Sequence, residues 1–355
     1  MTRSLPNHLF STAEVVQRCV NAGIDAANID AISQYCDNLR KKDLPILLDH
    51  IWLSQLLGWD EKTIYAVAAC QHEFYHTYTI GKRSGAERKI SEPLPTLKDM
   101  QTTILSYICE KLPVNKSSYA YRKGNTIRKN ARMHLRQKEI LKLDVKDFFG
   151  SIKRDSVSRV FFDAGYSSEV SSLLGRLCTL NEALAQGAPT SPAISNAFMH
   201  GIDNILLSHF ASRGMRYTRY SDDITISGDK IEAEHISYVS DILYKNNLYL
   251  NNKKTRVFRS GSSKIVTGVQ VNSRLRAPSK LRKLLRAEIY FIEVYGLPSH
   301  ASRKMERPSL CLKRIEGQLN FAIWLDPKDS ALVQLKARLA IIRKDFNSLS
   351  YQSGF

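Results

Sequence analysis

The chain has 355 residues, of which 43% are apolar and 24% charged, and it carries a formal net charge of +18. This length leaves room for two or three subdomains, and the composition is that of an ordinary globular protein, which excludes a disordered or fibrous chain. The excess of cations predicts a polyanionic partner, and nucleic acid is favoured over a membrane because no segment joins a basic amphipathic helix to a lipid-anchor signal.

The six cysteines are scattered without CxxC spacing, which indicates reduced thiols in a chain too large to need disulfides. The N-terminus has no apolar signal-peptide core, and nowhere do 18 uncharged apolar residues follow one another. We therefore expect a cytoplasmic protein with no membrane partner.

Residues 1–68 have apolar residues at helical spacing and a helix N-cap at Ser11 or Thr12, which predicts a helical N-terminal extension. From Tyr75 the apolar residues alternate with polar ones. The two flanks of GKRSGAE are therefore predicted to form a β-hairpin whose loop carries Lys82. A further helix is expected at LKDMQTTILSYICEKL.

The stretch HEFYH, residues 72–76, satisfies the HExxH pattern, in which two histidines on one helical face bind zinc and Glu73 acts as the base. The pattern fixes only three positions, and no third ligand follows in a recognisable arrangement. In addition, YHTYTI alternates like a strand, which would turn His76 away from a helical face. A zinc metalloprotease is kept as a distant alternative, and a packed or solvated pair of histidines is favoured.

Residues 119–138 are strongly basic, and the apolar strand EILKLD that follows them delivers Asp144 at its end. In RYTRYSDDITIS, two β-type flanks surround Asp222 and Asp223, which predicts a hairpin with the acidic pair at its tip. Two carboxylates about 4 Å apart repel by roughly 4 kcal/mol at an effective dielectric near 20, so such a tip needs a cancelling charge. A solvated acidic turn is the alternative.

Asp144 is the candidate third carboxylate, because neighbouring antiparallel strands of one sheet would bring it to the hairpin tip. Three convergent aspartates indicate a site for two Mg²⁺ ions, since Mg²⁺ prefers carboxylates together with substrate phosphates. The implied chemistry is phosphoryl transfer. Further along, the segment from Lys253 to Ala287 has eleven Lys or Arg and no acidic residue. These unpaired cations are predicted to neutralise nucleic-acid phosphates.

Six short motifs resemble those of the reverse transcriptases and stand in the order of that family. LDVKDFF resembles motif A, AQGAPTSPAISNAF motif B, YSDD motif C and LYLNNKKT motif D. NARMH and VTG resemble the NAxxH and VTG elements of the bacterial retron reverse transcriptases. The resemblance covers nearly the whole chain from about residue 50.

The resemblance implies an α+β fold, a right-hand polymerase with fingers, an antiparallel-sheet palm and a helical thumb behind a helical N-terminal extension. The implied domains are the extension at 1–68, fingers at 69–140, palm at 141–258 with fingers-side helices around 155–185, and a basic RNA-binding thumb at 259–355.

The resemblance also implies the catalytic and metal-binding residues. Asp144, Asp222 and Asp223 would be catalytic, and together with the main-chain carbonyl of Val145 they would hold two Mg²⁺ ions.

For the incoming nucleotide, the resemblance implies that Phe149 excludes a 2′-hydroxyl while its neighbour Phe148 belongs to the core, although Phe149 could also be plain core. The other residues implied to bind the deoxynucleotide are Lys82, Arg88, Gln186, Gly187 and Lys254, with Lys253 competing with Lys254 as the acid for the leaving group.

The residues implied to contact RNA or primer are Asn130, His134, Tyr220, Val266, Thr267 and Gly268. Two alternatives stay open from the residues themselves. His134 could cap or pack within a basic helix, and VTG could be a strand-turn in which Gly268 accommodates a bulge.

The activity implied by the resemblance is RNA-directed DNA synthesis from dNTPs, with a bound structured non-coding RNA as template and primer. The implied product is a branched RNA–DNA molecule (msDNA) that begins at a guanosine 2′-hydroxyl. The implied partners are a separate effector protein in anti-phage defence and a host RNase H. The alternatives are another defence-associated or group II intron-like reverse transcriptase, and an RNA-binding scaffold that has lost its chemistry.

Overall fold

The computed structural model describes residues 11–81, 85 and 87–352, and side chains as far as residue 348. The α-helices in this part of the chain are α1 (Thr12–Asn21), α2 (Ala26–Lys41), α3 (His50–Leu57), α4 (Glu61–Ala69), α5 (Pro95–Tyr107), α6 (Ile127–Met133), α7 (Phe148–Ser151), α8 (Arg154–Ala164), α9 (Ser168–Leu177), α10 (Ser191–Ala211), α11 (Ala233–Tyr244), α12 (Ser279–Tyr295), α13 (Leu297–Arg303), α14 (Pro308–Leu325) and α15 (Ser330–Gln352). Two short 3₁₀ turns occupy Gln71–Phe74 and Cys109–Lys111. Within the described residues, none of these helices combines the length and the apolar character needed to cross a bilayer.

The strands are β1 (Tyr75–Gly81), β2 (Glu87–Pro93), β3 (Glu139–Asp144), β4 (Arg216–Tyr220), β5 (Asp223–Gly228), β6 (Arg256–Phe258), β7 (Ile265–Val266) and β8 (Val269–Gln270). β1 pairs with β2 and β7 with β8, while the remaining four strands form one sheet in the order β4-β5-β3-β6. The pairs β1–β2, β3–β6, β4–β5 and β7–β8 are antiparallel. Helices combined with antiparallel sheet confirm the predicted α+β class.

The chain divides into two compact units that interleave along the sequence. The first contains residues up to Tyr121 together with Asp144–His209 and Ala233–Lys253, and the second contains Arg122–Leu143, Phe210–Glu232 and Lys254–Phe355. The division into fingers, palm and thumb is finer than these two units, and its boundaries stay a prediction.

The helical N-terminal extension is confirmed for the described residues, and its helices begin at capping side chains. Ser11 accepts from the main-chain N–H of Glu14, whose carboxylate in turn accepts from the Ser11 N–H, so Ser11 rather than Thr12 is the N-cap. Asp25 and Asp60 cap α2 and α4 in the same way, each accepting a main-chain N–H three residues later.

The hairpin predicted around GKRSGAE is also confirmed. β1 and β2 pair from Tyr75 opposite Pro93 to Gly81 opposite Glu87. Its base is anchored in the first unit by the buried Gln101 of α5, whose side-chain N–H group donates to the Tyr75 hydroxyl at 2.8 Å and to the Leu177 carbonyl at 2.8 Å. The hairpin is therefore anchored at the end where Tyr75 pairs with Pro93.

In the second unit, α12 to α15 surround a buried apolar core and a buried ion-pair network. Glu288 of α12 is only 2% exposed. It receives two hydrogen bonds of 3.0 Å from the Arg314 guanidinium, and its carboxylate lies 3.0 Å from the Lys304 ammonium. Burial raises the pKa of Glu288, but the hydrogen bonds from Arg314 and Lys304 outweigh it and leave the pKa below its ordinary value. The network ties α12 to α13 and α14.

The prediction that the basic run consists of unpaired cations is wrong for part of it. Folding brings acidic residues from outside the run against four of its arginines, at nitrogen–oxygen distances of 2.6–3.9 Å. The pairs are Arg259 with Glu139, Arg274 and Arg276 with Asp326, and Arg282 with Asp329. The cations that α12 exposes are Lys280, Lys283 and Arg286.

Candidate active site

The acidic pair lies at the tip of the antiparallel hairpin of β4 and β5, as the flanking residues predicted. The turn is Ser221–Asp222, because Asp223 already pairs with Tyr220 as the first residue of β5. Ser221 has a φ of 60°, in the left-handed region that few residues other than glycine adopt. Asp222 and Asp223 are both half-buried. A tight turn between two short strands thus presents two adjacent carboxylates.

Asp144 is the last residue of β3 and is 8% exposed. In the first unit, the chain beyond it runs antiparallel to the motif D segment, because the Asn251 N–H donates to the Asp144 carbonyl at 2.8 Å and the Lys146 N–H donates to the Tyr249 carbonyl at 2.8 Å. Neither bond uses the carbonyl of Val145, the main-chain oxygen predicted to bind metal.

In the four-stranded sheet, β3 is the neighbour of β5. β3 ends at Asp144 and β5 begins at Asp223. Among the described residues, no group of three or more His, Cys, Asp or Glu side chains is arranged to hold a metal ion by itself. Mg²⁺ is commonly held by only one or two carboxylates together with substrate phosphates and water. Asp144, Asp222 and Asp223 each carry hard carboxylate oxygens, the kind of donor that Mg²⁺ prefers.

Motif B places Gln186 and Gly187 against β2 in the first unit. The main-chain N–H of Ser91 donates to the Gln186 carbonyl at 2.7 Å. Gly187 has a φ of 124°, and a Cβ added to it would lie 2.5 Å from the Ser91 carbonyl oxygen. The glycine was predicted to let the main chain approach a nucleotide, and the close approach found in the structure is to the neighbouring strand.

The two phenylalanines after Asp144 have different environments, as predicted. Phe148 is 4% exposed and belongs to the core, whereas Phe149 is half-buried. The Phe149 ring lies 6.4 Å from the ring of Tyr121, centroid to centroid, within the first unit. Phe149 therefore keeps an accessible aromatic surface.

The cations predicted to bind the triphosphate can be located only in part. Arg88 is exposed on β2 opposite Ile80, and Lys82 lies outside the described residues. Lys253 and Lys254 are both exposed in the turn near the end of motif D, so exposure does not distinguish the two candidate acids.

His134, predicted to contact RNA, is instead buried in the second unit with 0% exposure. Its Nδ1 lies 2.7 Å from the Ser227 hydroxyl and its Nε2 lies 2.8 Å from the Thr218 hydroxyl. Burial, and to a smaller degree the nearby Arg216, hold the pKa of His134 down at about 3, so the ring is neutral at physiological pH. The packing alternative is the one that the structure supports.

The VTG element is a hairpin turn between β7 and β8, and it packs against NARMH. Val266 is fully buried, and Thr267 and Gly268 both have positive φ, 45° and 79°. Asn130, which is 1% exposed, has its amide 3.4 Å from the Thr267 hydroxyl. The two elements predicted to bind RNA therefore contact each other. The positive φ, rather than a bulge, accounts for the glycine.

The HExxH pattern does not form a zinc-binding face. His72 and Glu73 lie in a 3₁₀ turn, and His76 is already part of β1, opposite Glu92. The two histidines therefore do not stand one helical turn apart, which removes the basis for the metalloprotease alternative.

Arg219 is a site residue that the sequence analysis missed. It is 0% exposed, and its guanidinium donates to the Ser221 carbonyl at 3.1 Å, beside the acidic turn. Arginine is rarely fully buried, so composition gave no reason to expect it there. The available signal was strand alternation, which places Arg219 on the same face as the buried Tyr217, opposite Ile224.

Comparison with known proteins identifies the family to which this chain is similar. Residues 80–283 match the model of the reverse transcriptase (RNA-dependent DNA polymerase) family. The chain is 31% identical over 276 residues to the retron Mx65 reverse transcriptase of Myxococcus xanthus, covering 72% of this chain and 62% of that relative. It is 28% identical over 295 residues to the retron Ec86 reverse transcriptase of Escherichia coli, covering 82% of this chain and 88% of that relative.

The chain thus spans less than two thirds of the Mx65 enzyme and most of the Ec86 enzyme. Among solved structures, it is similar to a telomerase from Candida albicans, with a TM-score of 0.42 and 11% identity over 76% of this chain and 54% of that one. A likeness at this level carries no argument about function.

Proposed function

Because the chain belongs to the reverse transcriptases, the RNA-dependent DNA polymerases, and within them to the retron enzymes, we propose that it copies RNA into DNA at Asp144, Asp222 and Asp223. The observation that carries the proposal is the sheet in which β5, beginning at Asp223, lies next to β3, ending at Asp144. Nucleotidyl transfer needs cations beside the triphosphate and the attacking hydroxyl, and the three aspartates would hold those cations.

Asp144, Asp222 and Asp223, with the Val145 carbonyl, would hold two Mg²⁺ ions. When bound, such ions stabilise charge on the attacking and leaving oxygens. The protein's own contribution is positioning. The Ser221–Asp222 turn keeps two carboxylates adjacent, and the buried end of β3 fixes the third. The exposed Arg88 of β2 would orient the triphosphate together with Lys82, and Lys254 or Lys253 would donate a proton to the leaving pyrophosphate.

Phe149 is proposed to select deoxynucleotides by closing the space that a 2′-hydroxyl would occupy. Replacing it by Val should raise the relative use of ribonucleotides by about 10- to 100-fold, because a steric contact of this size contributes roughly 1–3 kcal/mol of discrimination. The measurement is kcat/KM for dATP and ATP on one RNA template. A core role without contact to the sugar predicts a lower melting temperature and an unchanged ratio of the two.

Helix α12, in the predicted thumb, offers a surface suited to RNA. Its exposed cations Lys280, Lys283 and Arg286 precede exposed aromatic side chains, and Phe291 stacks on Tyr295 with ring centroids 6.1 Å apart. Cations neutralise phosphates, and exposed rings stack on unpaired bases. We propose that this face binds the RNA.

Changing Lys280, Lys283 and Arg286 together to Gln should weaken RNA binding and lower the slope of log Kd against log salt by about 2–3, close to one per lost phosphate contact. Filter binding across a salt series measures both. The matched control changes Lys313 of α14 and Lys336 and Lys344 of α15, which are also exposed, to Gln. If both variants lose affinity equally, overall charge rather than the α12 face governs binding.

Within the retron family, we propose that a dedicated structured non-coding RNA serves as template and primer and that the product is msDNA. A separate effector protein, host RNase H, a role in anti-phage defence and a cytoplasmic location belong to the same proposal. It is supported by the retron relatives and by the NARMH and VTG elements.

The experiment is to sequence the nucleic acid that copurifies with the protein. A branched RNA–DNA species of discrete length is expected. Random cellular RNA without attached DNA would contradict the retron proposal. An RNA-binding scaffold without chemistry, by contrast, predicts that the unchanged protein incorporates no dNTP on any RNA template.

A further inference from the structure

The histidine of NARMH joins the two strands of the acidic hairpin. Thr218 stands on β4 and Ser227 on β5, and each hydroxyl is bonded to one nitrogen of the His134 ring. In the strand register, Thr218 is opposite Thr225 and Ser227 is opposite Arg216, so the two hydroxyls are diagonal neighbours on one face of the hairpin. His134 therefore bridges across the strands.

The chemistry of the bridge is complete without any external partner. A neutral imidazole has one N–H donor and one nitrogen acceptor, and each hydroxyl can take either role. With 0% exposure and both nitrogens bonded, His134 presents nothing to RNA. Because an unsatisfied polar group buried here would be costly, the hairpin and α6 are held in one relative position.

The other end of α6 is held by the VTG hairpin. The Asn130 amide lies 3.4 Å from the Thr267 hydroxyl, and that hydroxyl lies 3.4 Å from the Ile127 carbonyl. At the His134 end, two residues beyond that histidine, the Arg136 N–H donates to the carbonyl of Val271, the residue that follows β8, at 3.0 Å. NARMH thus contacts both the VTG hairpin and the acidic hairpin and connects them. All three lie within the second unit.

We propose that His134 is a positioning residue for the reaction, which clamps β4 to β5 behind the turn that carries Asp222 and Asp223. This inference rests on the proposed function, because it assigns the clamp to the hairpin of the proposed metal site. Loss of the clamp lets the strands shift and spreads the positions of the two carboxylates, while the RNA-binding surface stays in place.

The test compares Thr218→Val with Thr218→Ser and adds His134→Phe. Val keeps the shape of Thr and removes the hydroxyl, whereas Ser keeps the hydroxyl and removes a methyl group. Thr218→Val and His134→Phe should lower kcat about 10- to 100-fold and raise the Mg²⁺ concentration needed for half-maximal rate. RNA Kd should stay within about twofold, and Thr218→Ser should retain most of the rate.

Two results would overturn the clamp. One is a His134→Phe protein whose RNA Kd weakens tenfold while kcat at saturating RNA is unchanged, which would make His134 an RNA contact. The other is an equal loss of kcat in Thr218→Val and Thr218→Ser, which would show that Thr218 acts through packing and not through its hydrogen bond to His134.

Amide hydrogen exchange of residues 219–224 gives a readout that does not depend on catalysis. Faster exchange in Thr218→Val than in Thr218→Ser supports the clamp, and equal exchange contradicts it. An unchanged protein that incorporates no dNTP would refute the proposed function alone, and the exchange data would still decide the clamp.

Discussion

Incorporation of labelled deoxynucleotides on an RNA template is expected to fall by at least about 10³-fold when Asp222 and Asp223 are both changed to Asn, a loss of roughly 4 kcal/mol of transition-state stabilisation. Asn has nearly the shape of Asp, so the Ser221–Asp222 turn should survive, but its neutral amide cannot balance a divalent cation. Binding of RNA should change by less than about twofold, because the phosphates are proposed to meet the cations of α12.

The control removes two negative charges elsewhere. Asp229 and Asp241 are both exposed, and changing them to Asn alters the net charge equally. Single-nucleotide incorporation and filter binding on the same preparations separate chemistry from RNA binding. If incorporation by the Asp222→Asn, Asp223→Asn protein survives near the level of this control, the assignment of the active site is wrong.

A substitution of Asp144 tests whether this carboxylate acts together with Asp222 and Asp223. Groups that act as one unit are non-additive, so Asp144→Asn added to Asp222→Asn should cost little beyond either single change. Independent, multiplying losses would place Asp144 outside the site. Comparing the rates of the two single variants and the double variant thus tests whether Asp144 and Asp222 belong to one metal site.

Local sequence patterns predicted the elements that depend on neighbouring residues. Alternation in HTYTI and RKISEP predicted β1 and β2, and the β-type flanks of the acidic pair predicted β4 and β5. The same reasoning weakened the HExxH pattern, because His76 belongs to an alternating stretch and lies in β1. Each of these structures is decided by side-chain period over a few residues.

Other features depend on residues far apart in the chain, and a single sequence could not predict them. The partners of His134 lie 84 and 93 residues away, so nothing near NARMH indicated a bridge between strands. The basic run contains eleven cations, but Asp326 pairs with one of them, Arg276, from 50 residues away. Tertiary contacts determine which polar residues remain available to a partner.

Gly187 combines a main-chain conformation that requires glycine with a proposed place in the nucleotide pocket. Its φ of 124° is strained for any residue with a Cβ, and an added Cβ would lie 2.5 Å from the Ser91 oxygen and 2.9 Å from the Ser91 carbonyl carbon. The obstacle is main chain of β2, which cannot rotate away as a side chain can. Relief would require the motif B loop to move off β2 and break the 2.7 Å hydrogen bond from Ser91 to Gln186.

Gly187→Ala is therefore expected to lower the free energy of unfolding by about 3 kcal/mol or more and to raise KM for dNTPs, because Gln186 would leave its place. Gly201→Ala is the matched control. Gly201 lies in α10, where an added Cβ meets no atom within 4 Å, so Ala there should be neutral or stabilise by about 0.5–1 kcal/mol. Thermal unfolding and dNTP titrations on both variants provide the comparison. Equal stability and equal KM in the two proteins would show that motif B does not depend on this close approach to β2.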